Sequence, residues 1–226
     1  MSLSIAIPIY NEEFNIEDTY NNLIKAIKIA NLVDFEIIFI NDGSTDNSFK
    51  IIKKISKKNN KVLVIHSKKN LGLSTSIFKA FNKSKKKFVW WLPSDNNVEY
   101  KEISKIISNY STKDFVLTKH IMNRNFFRKF VSASYTILVN IIFLSKIPYY
   151  NGLFLIRKKM IKKVKIKSKS QFWMAELIIN LLKISSNYEI RTIKLSERKK
   201  GKSNIFNFKQ LYLVIVDLLK FRFSFK

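Results

Sequence analysis

Apolar and polar positions along the first hundred residues follow two alternating periods, which predict strands and helices in turn. Short, almost wholly apolar runs indicate strands buried on both faces, and each is followed by a stretch with apolar residues at helical spacing. The predicted strands are residues 3–10, 35–40, 61–66 and 87–92, and the predicted helices are 15–30, 46–57 and 74–84. This order is typical of an α/β fold with a mostly parallel, doubly wound sheet flanked by helices.

The pattern after residue 100 is less regular. It predicts helices at 102–110, 126–144, 172–184 and 205–223, and strands at 115–117, 151–157 and 189–195. The Lys-rich stretch 158–169 is expected to be a solvated loop. Residues 126–150 and the terminal helix combine apolar stretches with basic flanks, which is typical of helices at a membrane interface, although core packing is the alternative. We therefore expect one α/β domain over residues 1–204 and an amphipathic interface helix over 205–226.

Carboxylates follow three of the predicted strands. Glu12 comes after the first strand, Asp42 after the second and Asp95 after the fourth. The carboxyl ends of parallel strands form one edge of the sheet, where ligands bind. Carboxylates brought together there repel one another unless they share a cation or bind donor groups, and Mg²⁺ or Mn²⁺ bridging a diphosphate would satisfy them. Alternatively, Asp42 binds a nucleobase or ribose, Asp42 and Asp46 cap the following helix, or Asp95 forms an Asx turn.

The composition limits the kinds of metal site and partner. The chain has no cysteine, and its two histidines, His66 and His120, lie far apart, so thiolate sites are excluded and a hard cation is expected. The net charge is +26, of which residues 1–101 contribute +6 and residues 102–226 contribute +20. A codon bias toward lysine does not explain the missing acids of the second half. The expected partner is anionic: a membrane surface, a phosphate-bearing acceptor or, least favoured because no recognition motif is present, nucleic acid.

Two further expectations concern location. No cleavable signal peptide is recognisable at the N-terminus, and no uninterrupted apolar segment reaches the length of about 20 residues that spans a bilayer. We expect a cytoplasmic protein that lies peripherally on the cytoplasmic face of a membrane.

Three segments in order, Ile7–Glu13, Asn41–Ser48 and Asn70–Gly72, resemble the family 2 glycosyltransferases, which have the GT-A fold. The resemblance implies a nucleotide-sugar donor. It also implies that Asp95 is catalytic and binds Mg²⁺ or Mn²⁺, because Asp95 matches the last residue of the Asp-x-Asp metal motif. Pro93 replaces the first Asp of that motif, so one ligand is missing, and metal-independent or lost activity is the alternative. The implied donor-binding residues are Pro8, Tyr10, Glu12, Asp42, Asn70 and Gly72.

The second half resembles one branch of that family, the dolichyl-phosphate and bacterial polyprenyl-phosphate sugar transferases. The matching segments are Arg198–Ser203, for an Arg-x-x-Gly-x-Ser motif, Glu176-Leu177, and Asn151-Gly152-Leu153, where the branch has Ser-Gly-Phe. An Asp that the branch carries near the last segment is replaced by Pro148. For the basic 198–203 segment, an exposed loop without function is the alternative. The acceptor phosphate is then expected to bind Arg124, Arg128, Arg198, Lys200, Lys202 and Ser203.

The resemblance implies transfer of a sugar, with inversion, from a nucleotide-sugar to a polyprenyl phosphate. A phosphate acceptor is already ionised at neutral pH and needs no strong general base, which fits the shortage of acids in the second half. A sugar hydroxyl acceptor would need a base, and Glu176 is the candidate for that catalytic role. A basic membrane-binding relative without activity is a third possibility.

Overall fold

The computed structural model describes residues 2–108, 112–122, 126–196 and 208–225. In this part of the chain, seven strands form one sheet in the order β3-β2-β1-β4-β6-β5-β7. The strands are β1 Ser2–Ile9, β2 Asp34–Asp42, β3 Val62–Ser67, β4 Phe88–Trp91, β5 Phe115–Ile121, β6 Phe154–Arg157 and β7 Tyr188–Lys194. The helices are α1 Ile16–Ile29, α2 Ser48–Lys58, α3 Leu73–Lys83, α4 Tyr100–Ile107, α5 Phe126–Phe143, α6 Lys158–Ile161, α7 Trp173–Ile184 and α8 Phe208–Ser224.

The predicted mostly parallel sheet is confirmed. β1 pairs in parallel with β2 and β4, β2 pairs in parallel with β3, and β5 with β7. Among the described strands, β6 alone runs in the opposite direction, antiparallel to both β4 and β5. The strands β1 to β4 therefore end together at one edge of the sheet, which we call the carboxyl edge, and begin together at the opposite amino edge.

The connections place helices on both faces of the sheet. The steps from β1 to β2 and from β2 to β3 run in one direction along the sheet, whereas the step from β3 to β4 returns across it. Because such crossovers are right-handed, α1 and α2 lie on one face and α3 on the other. Phe78 of α3 contacts Trp173 of α7, with ring centroids 6.1 Å apart, so α7 covers the same face as α3.

The core is formed by the strands and by aromatic residues at the centre of the sheet. Trp90, Trp91 and Trp173 are at most 6% exposed. Trp173 contacts Trp91 and Phe154 at centroid distances of 6.3 and 5.8 Å. The three tryptophans are thus core residues.

The prediction of a solvated loop at 158–169 holds for the exposed lysines of residues 162–169 but is wrong for residues 158–161 and for the buried side chains of the stretch. Residues 158–161 form α6, in which Met160 and Ile161 are 3% and 5% exposed, and Ser168 is 7% exposed. The stretch alternates exposed lysines with buried anchors, and its high lysine content concealed the anchors in the sequence pattern.

α5 and α8 leave most of their apolar side chains exposed. α8 packs on the protein through Leu218, which is 4% exposed, and through Phe221, whose ring lies 5.4 Å from Phe143 and 5.8 Å from Phe172. Among the described helices, α5 alone is long and apolar enough to cross a membrane by length and composition, and 11% of that segment is buried. Core packing therefore accounts for few α5 side chains. The exposed apolar residues are Phe126, Phe127, Phe130, Ile137, Leu138, Ile141 and Leu144 on and after α5, and Leu211, Tyr212, Leu213, Ile215, Leu219 and Phe223 on α8.

Candidate functional site

The loops that follow β1 and β2 are fastened to each other at the carboxyl edge. The backbone N–H of Glu12 donates to Ser48 Oγ at 2.9 Å, and that of Glu13 donates to Asp46 Oδ2 at 3.1 Å. In the reverse direction, the Asn47 N–H donates to Glu13 Oε2 at 3.0 Å. These reciprocal bonds form a brace between two loops that are more than 30 residues apart in sequence.

The brace fixes the predicted donor residues of the first loop. Pro8 is buried in β1, and its carbonyl oxygen accepts the Ser94 hydroxyl at 2.8 Å. The carboxylate of Glu12 accepts Asn15 Nδ2 at 2.7 Å, so it supports the start of α1. Tyr10 is 48% exposed at the end of β1 and presents an aromatic ring at the carboxyl edge.

Asp42 joins the end of β2 to the loop after β3. Its side chain is 4% exposed, and its two carboxylate oxygens accept the backbone N–H groups of Leu71 at 2.9 Å and Gly72 at 3.0 Å. The Gly72 N–H also contacts Asn70 Oδ1 at 2.9 Å. The structure thus brings Asp42, Asn70 and Gly72 together, as the resemblance implied. The alternative that Asp42 caps α2 is wrong, whereas Asp46 does bind the start of that helix, because its Oδ1 accepts the Ser48 N–H at 3.0 Å.

Gly43 permits the close approach of these two loops. It has a φ of +75°, and a Cβ at this position would lie 2.5 Å from the carbonyl carbon of Lys69 and 2.6 Å from the amide nitrogen of Asn70. Only glycine fits this backbone conformation and this contact without strain.

Asp95 lies in a loop that is attached to β1 and α1. Ser94 donates to Pro8, as noted, and its carbonyl oxygen accepts the Thr19 hydroxyl at 3.0 Å. Asp95 is half-buried, and its Oδ2 accepts Asn97 Nδ2 at 3.2 Å. This loop therefore holds the Asp95 carboxylate at the carboxyl edge, beside the end of β1.

The residues fit a metal held by one carboxylate rather than by three. Within the described ranges, no group of three or more Asp, Glu or His side chains is placed to hold a metal ion. Of the two alternatives for these carboxylates, a shared cation or bound donor groups, the structure shows donor groups for two of them: Asp42 binds backbone N–H groups and Glu12 binds Asn15. Mg²⁺ and similar ions are often bound by one or two carboxylates together with substrate phosphates. Asp95 is the residue that fits this arrangement.

Glu176 is a buried anchor for the segment before α7. Its side chain is 1% exposed, and its two oxygens accept the N–H groups of Lys167 at 3.0 Å and Ser168 at 2.9 Å. The sequence indicated Glu176 as a candidate base and gave no sign of these backbone contacts. Its catalytic role stays a prediction.

The backbone N–H groups of the next two residues, Lys169 and Ser170, bind a carboxylate of α8. Asp217 Oδ2 accepts the N–H groups of Lys169 at 3.2 Å and Ser170 at 3.0 Å. A cavity of about 550 Å³ lies between this segment and α8, and Glu176, Asp217 and Lys220 are among its lining residues. Two carboxylates, one on α7 and one on α8, thus bind four successive backbone N–H groups.

The predicted acceptor residues fall mostly on parts of the chain that are not described. Arg128 is exposed on α5. Arg124, Arg198, Lys200, Lys202 and Ser203 lie outside the described residues. The chain does approach the Asp95 loop just before the basic segment, because Ser196 donates its N–H and its hydroxyl to the carbonyl oxygen of Asn97 at 3.0 and 3.1 Å.

Sequence reasoning missed the contact between β5 and the loop before β6. The Thr118 hydroxyl accepts the Leu153 N–H at 2.7 Å, and His120 Nε2 lies 2.9 Å from the same hydroxyl. A Cβ at Gly152 would lie 1.9 Å from the Thr118 carbonyl oxygen, so glycine is required there. The glycine in the segment Asn151-Gly152-Leu153 was the feature of the sequence that could have indicated this contact.

Two tyrosines lie between α5 and the loop before β6. The rings of Tyr135 and Tyr150 are 6.5 Å apart. Burial raises the pKa of both hydroxyls above the usual value, more strongly for Tyr135. Tyr150 donates to Asn140 Oδ1 at 2.8 Å, whereas within the described residues the Tyr135 hydroxyl has no hydrogen-bond partner. Both side chains are therefore neutral at physiological pH.

Comparisons with known proteins agree with this geometry. The sequence model of the family described as "Glycosyl transferase family 2" matches residues 4–165. An undecaprenyl-phosphate 4-deoxy-4-formamido-L-arabinose transferase of Proteus mirabilis is 29% identical over 133 residues, which are 58% of this chain and 40% of that protein. A dolichol-phosphate mannosyltransferase of Pyrococcus furiosus is 27% identical over 177 residues, 74% of this chain and 49% of that protein. The chain thus spans less than half the length of these two relatives.

Solved structures share the fold. Glucosyl-3-phosphoglycerate synthase from Mycobacterium tuberculosis, in complex with Mn²⁺, uridine diphosphate and phosphoglyceric acid, superposes with a TM-score of 0.73 at 14% identity. The match covers 98% of this chain and 78% of that one. Staphylococcus aureus TarS in complex with UDP-GlcNAc has a TM-score of 0.61 at 18% identity, covering 97% and 67%. At these identities the likeness establishes the architecture of the sheet and helices.

Proposed function

Because this chain belongs to glycosyl transferase family 2, we propose that it transfers a sugar from a nucleotide-sugar donor to the phosphate of a polyprenyl phosphate at a membrane surface. The observation that carries the choice of acceptor is the set of exposed apolar side chains on α5 and α8. A lipid-linked phosphate supplies both a nucleophile and an apolar chain for such a surface. Two of its relatives are named as undecaprenyl-phosphate and dolichol-phosphate transferases.

The donor is assigned to the carboxyl edge. The loop from Asn70 to Gly72, held by Asp42, and the exposed ring of Tyr10 would bind the nucleotide. Asp95 would hold Mg²⁺ or Mn²⁺ against the donor diphosphate, in keeping with the Mn²⁺ and uridine diphosphate of the synthase described above. The ion, when bound, offsets negative charge on the departing diphosphate.

The chemistry is a displacement with inversion at the anomeric carbon. An oxygen of the acceptor phosphate forms a bond to that carbon while the bond from the carbon to the donor diphosphate breaks. The nucleoside diphosphate leaves with the electron pair of the broken bond. An ionised phosphate needs no proton removed, and this suits a site in which Glu176 is occupied by two backbone N–H groups.

The membrane surface is assigned to α5 and α8. Both present apolar side chains to solvent, with Arg128 and Lys129 on α5 and Lys220 and Arg222 on α8. Apolar side chains beside cations are typical of helices that lie in the interface of an anionic bilayer. In this proposal residues 1–204 are the catalytic domain, 205–226 the interface helix, and the protein lies on the cytoplasmic face.

The test is an assay of the full chain with a panel of nucleotide-sugars, polyprenyl phosphate and Mn²⁺, with the product identified by mass. We expect a sugar-phosphate-lipid product with one donor, and no lipid-linked product with any donor would overturn the proposal. Binding to vesicles that contain phosphatidylglycerol should fall in the Ile137→Ser, Ile141→Ser variant. The control Val33→Ser, which alters a residue 80% exposed at the amino edge, should bind vesicles like the unchanged protein.

A sugar hydroxyl is the second candidate acceptor. It is favoured by the cavity of about 550 Å³ that Glu176 lines, because a buried carboxylate at the wall of a cavity is a reasonable general base. A poly-beta-1,6-N-acetyl-D-glucosamine synthase of Staphylococcus aureus is among the relatives, at 32% identity over 108 residues, which are 48% of this chain and 25% of that protein.

A further inference from the structure

Two long stretches of the chain, residues 47–94 and 115–175, have positive charge without any acid, and the first of them reaches the candidate donor site. Residues 47–94 contain 13 lysines and no Asp or Glu. In the structure this stretch comprises α2, β3, α3, β4 and their connections. It therefore forms the β3 end of the sheet and part of the carboxyl edge.

The lysines of α2 lie on one side of that helix, which we call the lysine ridge. Its members are Lys50, Lys53, Lys54, Lys57 and Lys58, all exposed. Their spacing of three and four residues makes them neighbours on the helix surface, where like charges repel. Ile52 and Ile55 on the other side of α2 are buried. Among the described residues, no carboxylate forms an ion pair with the ridge.

Two more lysines lie in the loop of the candidate donor site. Lys68 and Lys69 are exposed between the end of β3 and the Asn70–Gly72 turn. The backbone of Lys69 packs directly against Gly43, and the next residues of the loop bind Asp42. The near end of the ridge lies at the same edge, because Ser48 at the start of α2 accepts the Glu12 N–H.

We propose that the lysine ridge and the loop lysines Lys68 and Lys69 steer the anionic nucleotide-sugar to the carboxyl edge, an inference that rests on the proposed function. A surface of one charge sign raises the association rate of an oppositely charged ligand by about 10- to 1,000-fold. Screening limits the effect to about 10 Å at 0.1 M salt, so the loop lysines and Lys50 contribute most. Lys58 lies about 12 Å farther along the helix axis than Lys50 and contributes least.

The position of the ridge favours the soluble donor over a membrane as its partner. α2 lies on the face of the sheet opposite α3 and α7, whereas α8 packs beside Phe172 at the start of α7. The exposed apolar side chains are concentrated on α5 and α8 and are absent from the described surface of α2. A bilayer that contacts α8 would therefore leave the ridge free to attract a donor from solution.

The test measures association and dissociation rates of fluorescently labelled UDP, GDP, CDP and dTDP with the full chain at 20 to 400 mM NaCl. For the nucleotide that binds, Lys68→Gln, Lys69→Gln should lower the association rate constant about 3- to 10-fold at 20 mM salt and leave the dissociation rate constant unchanged. The rates of the variant and the unchanged protein should converge at 400 mM. Lys53→Gln, Lys54→Gln should give a smaller decrease.

A matched control removes the same charge far from the donor site. Lys162 and Lys163 are exposed after α6, which begins at the amino edge, where the Lys158 N–H donates to the Lys87 carbonyl oxygen at 2.8 Å. Lys162→Gln, Lys163→Gln should leave the association rate unchanged. Three results would overturn the proposed steering and leave the proposed function standing. The control could lower the association rate as much as Lys68→Gln, Lys69→Gln does, the association rate could be independent of salt, or Lys68→Gln, Lys69→Gln could change only the dissociation rate. If the unchanged protein binds none of the four nucleotides at 20 mM salt, the proposed function and the steering are both overturned.

Discussion

The carboxylate of Asp42 accepts the backbone N–H of Gly72 at 3.0 Å and so links the end of β2 to the loop after β3. Asp42 is 4% exposed and also binds the N–H of Leu71. The residue for which the sequence predicts donor binding therefore also holds the proposed donor-binding loop in place.

Replacement of Asp42 should cost both stability and donor affinity. Asp42→Ala leaves the N–H groups of Leu71 and Gly72 without their acceptor, and we expect a loss of about 1–3 kcal/mol in the free energy of unfolding. Urea denaturation measures the loss, and nucleotide titration measures the affinity. Asp34→Asn is the control: Asp34 is half-exposed at the amino edge, where Lys86 holds the pKa of its carboxyl below its usual range. Equal losses in the two variants would contradict the role of Asp42.

Two glycines with positive φ should respond differently to alanine. Gly43 and Gly72 have φ of +75° and +89°, so alanine strains the backbone at both. A Cβ at Gly72 meets nothing within 4 Å, whereas at Gly43 it meets the Lys69 backbone at 2.5 Å. Gly72 has φ +89° and ψ 155°, a conformation that essentially only glycine adopts, so we expect Gly72→Ala to cost about 1–3 kcal/mol and Gly43→Ala clearly more. Thermal unfolding of both variants checks the order, which would be refuted by a larger loss for Gly72→Ala.

Completing the Asp-x-Asp motif should increase the affinity for Mn²⁺. Pro93→Asp restores the second carboxylate of Asp-x-Asp, and we expect it to raise the affinity for Mn²⁺ in the presence of nucleotide about tenfold, or about 1.4 kcal/mol. Asp95→Asn should remove Mn²⁺ binding. Electron paramagnetic resonance titration of Mn²⁺ measures both. Unchanged Mn²⁺ affinity in Asp95→Asn would show that the ion binds elsewhere or not at all.

Replacement of Glu176 distinguishes a phosphate acceptor from a sugar hydroxyl acceptor. Glu176→Gln retains one carbonyl oxygen for the backbone of Lys167 or Ser168, so an anchoring role predicts a loss of about 1–3 kcal/mol in stability and a partial loss of turnover. A role as general base predicts near-total loss of turnover with intact donor binding. Asp217→Asn is the comparison variant, because it weakens the same segment through Lys169 and Ser170 without touching a proposed base. Turnover and denaturation of both variants are measured together.

The two buried tyrosines predict how stability depends on alkaline pH. Burial raises the pKa of Tyr135 above its value of 10.0 in the unfolded chain, so the unfolded state loses its proton first. Stability from this group is fully present below pH 10 and is lost as the pH rises above it. Tyr135→Phe removes a buried hydroxyl that has no partner among the described residues, so it should not lower the free energy of unfolding at pH 7 and should reduce the loss above pH 10.

Tyr150→Phe provides the contrast. It removes the hydrogen bond to Asn140 and should cost about 1–2 kcal/mol at pH 7. Urea denaturation at pH 7 and pH 10.5 tests both variants. An alkaline loss that is the same in Tyr135→Phe and in the unchanged protein would contradict the assignment.

Local burial, the mostly parallel sheet and the polar residues at strand ends were predictable from the sequence, whereas the direction of β6 and the contacts between loops were not. The apolar run of β2 indicated a strand ending near Asp42, because a strand buried on both faces is apolar at nearly every position. The antiparallel direction of β6 was not predictable, since a strand of four residues, three of them buried, carries no signal of the direction of its neighbours. The anchoring of Lys167 and Ser168 by Glu176 was equally hidden, because it involves backbone groups that every residue possesses.

The candidate metal site shows the same limit. Sequence position placed Glu12, Asp42 and Asp95 at one edge, but only coordinates distinguish a carboxylate that faces a ligand from one that binds a neighbouring loop. Asn47 and Ser48, which complete the brace, were part of the recognised motif, yet nothing in their spacing indicated that their partners would be Glu13 and Glu12.

The brace between the loops after β1 and β2 has a consequence for how the protein acquires its activity. The Glu12–Ser48 and Glu13–Asp46 bonds exist only when β1 and β2 are paired in register. A nucleotide that binds there would bind the folded chain and not the unfolded one, and would shift the folding equilibrium toward the native state. In a cell the supply of donor would then act as a stabiliser of the enzyme that consumes it.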